Sequence, residues 1–521
     1  MISTSGRRPP LLLLAPALLV GAGMVVPLAY LALRAAAADP AMVAELVFRS
    51  RTLVLLANTL SLVVCVLAVT TVIALPLALL VVRSDLRHKR LLSILSVLPL
   101  AIPGYVMAYA LIGTSGYYGF FSQVFGLRIG RLEGLWGATL ALSLYTFPYV
   151  FLNLRSALQG MDPSLRETAQ SLGSTRREIF FGVTLPHLKP ALLSGWIVVA
   201  LYVVGDFGAV ALMRFEVFSF AIYNQYAGAF DRYYAAWLSL MLMGLTASFL
   251  FLEGRLMRNR RLARVGIGVP RQARDVPLGR LRPLAYLFLA VVFTASIGLP
   301  LTVIIFWLSL GGATIDWAAL WPVALRTAGA AFPAAILAAA LALPVTILAV
   351  RYRTLLVRSI ERLVFIGYAV PPLAFALAMV FFALGAVPFL YQTLPMLVLA
   401  YALSFTALAI GPIRSALLQM GGRMEEAARS LGRTATGAFV SVTLPMIGRS
   451  LVAACLLVFV LIVKELPITF LMAPTGYTTL SMNVFSRTSE GMLVEAAPYA
   501  LVTILFSSLF VSLILRYEGR R

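Results

Sequence analysis

Long uninterrupted apolar runs constrain this chain more than any other feature of its sequence. About twelve such runs, each of roughly 20 residues or more, recur along the 521 residues. They lack the alternation of polar and apolar positions that marks the strands of a membrane barrel. Because backbone polar groups inside a bilayer must be satisfied within the protein, runs of this length predict spanning helices. We therefore expect an all-α integral membrane protein with about 12 transmembrane helices.

The expected spans divide into two sets of six. They are 11–33, 53–82, 91–113, 134–154, 190–213 and 235–254, followed by 283–310, 323–350, 360–386, 392–413, 449–473 and 496–515. The first run exceeds the ~7–15 apolar residues of a secretory signal, so we interpret it as an uncleaved span.

The net charge of +22 indicates orientation in a membrane and does not indicate nucleic-acid binding. If the N-terminus is cytoplasmic, the inner segments hold 32 of the 42 Lys and Arg residues. This excess satisfies the positive-inside rule over short loops. Twelve spans then predict that both termini are cytoplasmic.

Cysteine and histidine are too sparse to indicate a disulfide or a metal site. Cys65 and Cys455 fall in apolar spans, while His88 and His187 lie in polar segments without neighbouring ligands. We predict no metal site and no cofactor.

The two sets of spans are repeats of one another. Pro103 aligns with Pro371 at an offset of 268 residues, and Asp206 aligns with Glu465 at an offset of 259. Continued at 259, the alignment pairs Asn224 with Asn483. Since each unit has six spans, an even number, we expect two parallel six-helix repeats related by an axis along the membrane normal.

A polar, Arg-rich segment separates the repeats. We therefore expect a first half at 1–254, a cytoplasmic basic linker at 255–282 and a second half at 283–521. A pathway through the membrane would lie where the two halves meet.

Each half contains one polar loop, at 155–186 and at 414–445. The two loops are identical at 16 of 32 positions without a gap. In the first, Asp162 and Pro163 predict the start of a short amphipathic helix over 164–172, and Gly173 predicts its end. Gly432 is the matching stop in the second loop.

A second helix is expected in the first loop. Thr175 and Glu178 form a capping box for it, and we expect it to end near Leu185 and Pro186. Gly437 replaces the glutamate of the box in the second loop.

Two roles are open for the short amphipathic helices. They could lie on lipid, or they could dock against another protein surface. Docking accounts better for the same residue pattern in two places, because small side chains at Ala169 and Ala428 permit close approach and Glu167 and Glu426 offer charge.

The two loops resemble the EAA loops of ABC-importer permeases. The residues that carry the resemblance are Glu167, Ala169, Gly173, Leu185 and Pro186 in the first loop and Glu426, Ala427, Ala428, Gly432, Leu444 and Pro445 in the second. Thr168 departs from the pattern, and valine replaces isoleucine at Val183 and Val442. The resemblance implies the type I importer permease fold and a location in the bacterial inner membrane.

The resemblance also implies partners. Each loop would seat a coupling helix in a subunit of a dimeric ATPase on the cytoplasmic face, and a periplasmic binding protein would deliver substrate to the outer face. The sequence contains no G-x-x-x-x-G-K-[ST] phosphate loop, so ATP hydrolysis is assigned to the partner and this chain is not expected to be an enzyme.

Ionisable residues inside spans mark a candidate pathway. Asp206, Lys464 and Glu465 occupy matching depths in the fifth span of each half. Such residues are costly within a membrane and often functional. A Lys464–Glu465 pair that only holds helices together is an equal alternative.

Segments around 145–240 and 403–500 look like the fused permeases of ferric-iron importers, which implies Fe(III) as the substrate. Thiamine- or phosphonate-type substrates remain alternatives, and a secondary transporter is a remote one. No tyrosine, histidine and carboxylate group close in sequence forms an evident iron site. Tyr223, Tyr226 and Tyr233 are interpreted as residues of an interfacial aromatic belt.

Overall fold

Helices account for nearly all regular structure in the computed structural model. The model describes residues 9–229, 231–257, 275–312, 315–352, 354–421 and 423–518, so most of the linker lies outside the described residues. The only strand-like contact in these ranges is an isolated bridge between Ser84 and Val276.

The first half contains thirteen α-helices among its described residues. They are α1 (Leu11–Ala36), α2 (Pro40–Val47), α3 (Ser50–Arg83), α4 (Lys89–Val97), α5 (Gly104–Thr114), α6 (Phe120–Phe125), α7 (Gly134–Gly160), α8 (Pro163–Ser171), α9 (Arg176–Ile179), α10 (Leu185–Gly205), α11 (Gly208–Leu212), α12 (Phe218–Tyr223) and α13 (Arg232–Met257).

The second half repeats this order with twelve α-helices in its described part. They are α14 (Arg282–Phe293), α15 (Leu299–Gly311), α16 (Trp317–Arg351), α17 (Leu355–Ala369), α18 (Pro372–Ala386), α19 (Leu394–Met420), α20 (Arg423–Ser430), α21 (Ala435–Ala438), α22 (Leu444–Val463), α23 (Pro467–Met472), α24 (Leu480–Ser489) and α25 (Leu493–Glu518).

Ten described helical segments are long and apolar enough to cross a membrane, and two bent pairs bring the number to twelve. The predicted all-α fold with about 12 spans is therefore confirmed. The third span of each half is not straight, however. Lys89–Ala101 meets Gly104–Thr114 at 91°, and Leu355–Ala369 meets Pro372–Ala386 at 110°.

Proline explains why both third spans bend at the same place. Ile102 and Val370 are extended and precede Pro103 and Pro371. A residue before proline disfavours the helical conformation, and proline has no N–H to continue the helix. Each third span is thus an elbow of two short helices.

The fifth spans begin earlier and end earlier than expected. Continuous helices run over Arg177–Gly205 and Ala435–Val463 in place of 190–213 and 449–473. Each is followed by a non-helical break and then a short helix, α11 or α23. The breaks fall at 206–207 and at 464–466. Gly205 and Gly208 flank the first break, and Pro467 follows the second.

The first helices of each half pack against the opposite half. Helix α1 lies against α16, α17 and α18, and α15 lies against α5. Tyr30 of α1 meets Phe382 edge to face with ring centroids 5.6 Å apart. Phe120 meets Phe306 at 5.3 Å. The halves therefore exchange their first helices and form one interlocked body.

Small residues bring the central helices close together. Helix α16 buries an alanine-rich face against α19, and α3 packs in the equivalent way on α7. Because lipid tails are as apolar as leucine, close backbone contact at small residues supplies much of the helix association energy in a membrane.

Matching hydrogen bonds give the structural register of the two halves. The Thr59 hydroxyl accepts from the Phe218 amide at 3.3 Å, and the Thr327 hydroxyl accepts from the Leu480 amide at 2.9 Å. Thr59 and Thr327 are 268 residues apart, whereas Phe218 and Leu480 are 262 apart. The second half thus has three extra residues after Glu465.

The expected pairing of Asn224 with Asn483 is wrong for this reason. Ser219 donates to the Asp206 carbonyl at 2.6 Å, and Ser481 donates to the Glu465 carbonyl at 2.7 Å. Ser219 and Ser481 are again 262 residues apart, so a constant offset of 259 does not extend to Asn224.

Candidate functional site

The first polar loop folds into the predicted short helix. The Asp162 side chain caps α8 by accepting from the Ser164 amide at 2.9 Å, and Pro163 is its first residue. Gly173 follows with φ of +84°, a conformation that suits glycine. The predicted start and stop are therefore confirmed.

The predicted capping box is also present. Glu178 accepts from the Thr175 amide at 2.7 Å, and the Thr175 hydroxyl accepts from the Glu178 amide at 3.3 Å. The hydrogen bonds from the Thr175 amide and hydroxyl lower the pKa of Glu178. In the second loop Thr434 caps α21 by accepting from the Gly437 amide at 3.1 Å, without a glutamate.

The helix after each capping residue does not end at the Leu-Pro pair, contrary to expectation. One wide, π-helical turn covers Phe180–Thr184 and another covers Phe439–Thr443. Pro186 and Pro445 would clash with a carbonyl four residues earlier in a regular helix. The wider turn removes that clash, and the chain continues directly into α10 and α22.

The two loops present the same residues to solvent. Glu167, Gly173 and Pro186 are exposed, whereas Ala169 and Leu185 are half-buried. The second loop repeats this pattern. There the exposed residues are Glu426, Ala427, Gly432 and Pro445, and the half-buried residues are Ala428 and Leu444.

A pair of exposed leucines was not singled out in the sequence. Leu172 and Leu431 end the short helices at matching positions and are 80% and 86% exposed. Each stands directly before the positive-φ glycine. Each loop therefore exposes one large apolar side chain at the end of its short helix. The sequence could have revealed these two leucines, because leucine occupies the same position in both aligned loops.

The second short helix is tied to the body of the protein by a charged clamp. Arg351 at the end of α16 donates to both carboxylate oxygens of Glu425, at 3.0 and 2.5 Å. Thr443 donates to Glu425 at 2.8 Å. Burial opposes ionisation of Glu425, but the Arg351 and Thr443 hydrogen bonds outweigh it, so its pKa is lowered. Arg166 stands at the matching position of the first loop.

In the first half, the end of the linker binds to the protein near the first polar loop. The Val276 amide, from the end of the linker, donates to the Arg83 carbonyl at 2.7 Å. Lys89 pairs with Asp275 at 2.5 Å. Residues 275–282 therefore bind the inner end of α3, and Val276 lines a cavity that also includes Gln170 of the first short helix.

The membrane carboxylates each cap the short helix that follows them. Asp206 Oδ1 accepts from the Ala209 amide at 2.9 Å and from the Val210 amide at 3.3 Å. Glu465 accepts from the Ile468 amide at 2.9 Å and from the Thr469 amide at 3.0 Å. Both carboxylates thus satisfy backbone donors that the helix break would leave unpaired.

Asp206 and Glu465 differ in how many of their carboxylate oxygens already accept hydrogen bonds. The Thr469 hydroxyl donates to Glu465 at 3.1 Å, so both oxygens of that buried carboxylate are occupied. Asp206 is half-buried, and among the described residues its Oδ2 accepts no hydrogen bond. Of the two carboxylates, only Asp206 in the first half therefore keeps an oxygen, Oδ2, that can accept a further hydrogen bond.

Lys464 does not pair with Glu465. Within the described chain no ion pair joins them, and Lys464 donates instead to the Leu100 carbonyl at 2.9 Å. Leu100 belongs to the elbow of the first half, so Lys464 joins the two halves. The alternative of a self-paired Lys464–Glu465 is wrong.

Aromatic rings close the interface next to these carboxylates. Phe207 of the first half lies 5.2 Å from Phe485 of the second, and Tyr223 lies 5.8 Å from Phe470, between ring centroids. Tyr223 is thus part of a packed cluster between the halves, and the belt interpretation of this residue is wrong.

Together, two repeated helical halves, matched polar loops and a polar break at their interface define a membrane-transport subunit. The chain belongs to the family described as "Binding-protein-dependent transport system inner membrane component", which matches residues 70–261 and 342–519. It is therefore a multi-pass inner-membrane permease of two fused halves.

A full-length relative is an iron permease. The chain is 33% identical over 517 residues to the Fe(3+)-transport system permease protein FbpB 2 of Haemophilus influenzae, and the match covers 98% of this chain and 99% of that protein. The predicted resemblance to fused ferric-iron permeases is confirmed. These relatives are transport subunits rather than enzymes.

Shorter matches reach permeases for oxyanions. The molybdenum transport system permease protein ModB of Escherichia coli is 35% identical over 137 residues, which is 25% of this chain and 58% of ModB. The sulfate transport system permease protein CysT of Salmonella typhimurium is 34% identical over 114 residues, covering 22% and 40% of the two chains.

Proposed function

We propose that this permease imports ferric iron, handed over by a periplasmic binding protein, and that a separate ATPase dimer drives it. The full-length similarity to an Fe(3+) permease is the observation that carries the substrate assignment. The oxyanion permeases match only about a quarter of the chain.

The halves at 1–254 and 283–521 form the two walls of the pathway, with the linker at 255–282 on the cytoplasmic side. Both termini are cytoplasmic in this arrangement. The charge bias of the inner segments supports it.

The paired loops couple the permease to the ATPase. Leu172 and Leu431 insert into apolar clefts of the two ATPase subunits, while Glu167 and Glu426 meet basic residues at the rim. Exposure of the same residues in both loops supports this role. Each short helix is followed by a helix, α9 or α21, that continues through a wide turn into α10 or α22. Closure of the ATPase dimer therefore moves the helices that end at Asp206 and Lys464.

Alternating access follows from this linkage. The aromatic cluster around Phe207 and Phe485 is the closed outer side of the pathway, and separation of the halves opens it. Asp206, Lys464 and Glu465 line the pathway just inside that closure.

Uptake into proteoliposomes tests the substrate. The permease is reconstituted with its ATPase, ATP is supplied on the loop side, and iron-loaded binding protein is added on the other. We expect ATP-dependent accumulation of iron, with no accumulation of molybdate or sulfate offered with their own binding proteins. ATP-dependent uptake of an oxyanion without iron uptake would refute the assignment and favour the second candidate, an oxyanion permease, to which the partial matches point.

A further inference from the structure

Four tyrosines form a connected group where the two halves meet, and one of them, Tyr145, adjoins Asp206. They come from three helices, α7, α10 and α17, and the set is Tyr145, Tyr149, Tyr202 and Tyr368. We call these four residues and Asp206 the tyrosine–aspartate cluster.

The rings are in direct contact. Tyr149 and Tyr202 stack with centroids 4.9 Å apart and an angle of 26°, and Tyr145 meets Tyr202 edge to face at 6.3 Å. The Tyr149 and Tyr202 hydroxyls are close enough to interact with each other. A side chain added at Gly104 would lie 3.0 Å from the Tyr145 ring and 3.1 Å from Asp206 Oδ2, so that ring and that oxygen border one space.

The second half completes the cluster. A side chain added at Gly205 would lie 3.1 Å from Pro372 at the elbow of the second half, so the end of α10 touches that elbow. Tyr368 lies on α17, the first helix of the same elbow, four residues before Pro372. The cluster therefore spans the interface between the halves.

Two of the four hydroxyls in this cluster lack a hydrogen-bond partner among the described residues. No hydrogen bond to the hydroxyl of Tyr145 or Tyr368 occurs within the described part of the chain. Tyr149, Tyr202 and Tyr368 are half-buried, so their polar tips are not sealed in the core. Unpaired polar groups within a membrane are costly, which favours a polar occupant of the space they border.

The fold itself does not need tyrosine at these positions. The equivalent residues around Glu465 are Ser404, Leu408, Leu461 and Leu100. At these four positions the other side of the pseudo-symmetric interface thus has leucine or serine, and Lys464 replaces Gly205 there. Glu465 has a phenol nearby from a different position, because Tyr401 hydrogen-bonds Thr469, which donates to Glu465. The repeated fold therefore does not require tyrosine at the four positions of the cluster.

We propose that the tyrosine–aspartate cluster is a transient binding site for the transported Fe3+ ion. Hard cations prefer oxygen ligands. Here a carboxylate oxygen that accepts no hydrogen bond from the described residues borders the same space as the Tyr145 ring, which contacts the other phenols through Tyr202. Each phenol that ligates the ion gives its proton to water. The negative Asp206 disfavours an oxyanion, while Lys464 disfavours a cation on the other side, so the cargo contact is one-sided. This inference rests on the proposed iron import.

Iron–phenolate coordination has a spectroscopic signature that a packing role lacks. Ferric nitrilotriacetate is added to the purified permease–ATPase complex, and the visible charge-transfer absorption of iron bound to tyrosine is recorded. We expect a band in the wild type that falls at least fivefold in Tyr149→Phe/Tyr202→Phe. Tyr109→Phe is the matched control, because its hydroxyl donates to the Leu493 carbonyl away from the cluster. It should retain the band.

Uptake provides the second measurement. Iron uptake by Tyr149→Phe/Tyr202→Phe should fall at least tenfold, while stimulation of the ATPase by loaded binding protein stays within about twofold of wild type. Asp206→Asn, which keeps an oxygen to cap α11, should show the same loss and serves if the double variant does not assemble.

Three outcomes decide the matter. Loss of the band and of uptake in the cluster variants, with intact ATPase stimulation, supports the site. Wild-type uptake and an unchanged band in those variants overturn the site while leaving iron import in place. If the wild-type complex itself imports no iron but imports an oxyanion, the proposed function and this site both fall.

Discussion

Arg351 and Glu425 form a bidentate ion pair that connects the second short helix to the inner end of α16. The residue at the matching position of the first loop is Arg166, so that loop cannot form the same pair. The two loops, alike in their exposed residues, are thus anchored by different means.

Removing this pair should loosen the second loop alone. We predict that Glu425→Gln weakens local stability of α20 by about 1–3 kcal/mol, because a half-buried guanidinium loses its charged acceptor. Amide exchange in α20 should then become about 5- to 150-fold faster, measured by hydrogen exchange and mass spectrometry. Glu426→Gln, which changes the exposed neighbour, is the control and should leave exchange unchanged. Equal exchange in both variants would contradict the clamp.

The clamp should also have a defined pH dependence. Its Arg351 and Thr443 hydrogen bonds, opposed by burial, hold the folded-state pKa of Glu425 below its ordinary value of 4.5. A carboxyl group with a lowered pKa contributes stability fully above the unfolded pKa and loses it as pH falls through the folded pKa. The exchange difference between wild type and Glu425→Gln should therefore persist at pH 5 and shrink only below about 4.5. A difference that disappears between pH 7 and 6 would exclude this origin.

The two membrane carboxylates should respond differently to amide replacement. In Asp206→Asn the amide oxygen can keep both backbone donors, while its nitrogen takes the side without a partner. Both carboxylate oxygens of Glu465 accept hydrogen bonds. In Glu465→Gln the side-chain nitrogen replaces one of these oxygens, so it must face a backbone or hydroxyl donor. An unsatisfied buried donor costs about 1–3 kcal/mol.

Thermal unfolding in detergent tests this difference. We predict a clearly lower midpoint for Glu465→Gln than for Asp206→Asn, which should stay near wild type. The reverse order would show that the hydrogen bonds of these carboxylates do not govern their stability.

If the aromatic cluster is the closed outer side of the pathway, the two halves must separate there during transport. Phe207 and Phe485 come from opposite halves with ring centroids 5.2 Å apart. In a Cys65→Ser/Cys455→Ser background, Phe207→Cys and Phe485→Cys should be joined by a short bifunctional thiol reagent. The cross-link should stop uptake, and a cleavable reagent followed by reductant should restore it. Each single-cysteine variant controls for simple modification, and unchanged uptake in the cross-linked pair would show that these halves need not separate there.

Sequence reasoning succeeded where local chemistry decides the structure. Apolar runs predicted the spans, and Asp162, Thr175 and Gly173 predicted the ends of short helices from capping rules. The bends at Pro103 and Pro371 were missed, although both prolines had been aligned, because an apolar run long enough to cross a membrane does not reveal an elbow inside it.

Long-range contacts account for the other misses. Glu425 adjoins Glu426 in the sequence, and only the position of Arg351, 74 residues away, selects which of them is buried. Tyr368, from the elbow of the second half, joins the tyrosine–aspartate cluster only because the halves interlock. The apolar periodicity of a single helix does not predict contacts between residues on different helices.

In the proposed function, a separate ATPase drives this permease through the two loops. The test is ATP-driven iron uptake by the reconstituted complex, measured with Leu172→Glu/Leu431→Glu. Charging both exposed leucines should reduce uptake and ATPase co-purification at least tenfold, since an apolar contact is replaced by a desolvated charge. Leu127→Glu, the same change at a leucine that is 60% exposed outside the loops, should leave co-purification unchanged. Wild-type uptake and ATPase association in the double variant would contradict the claim.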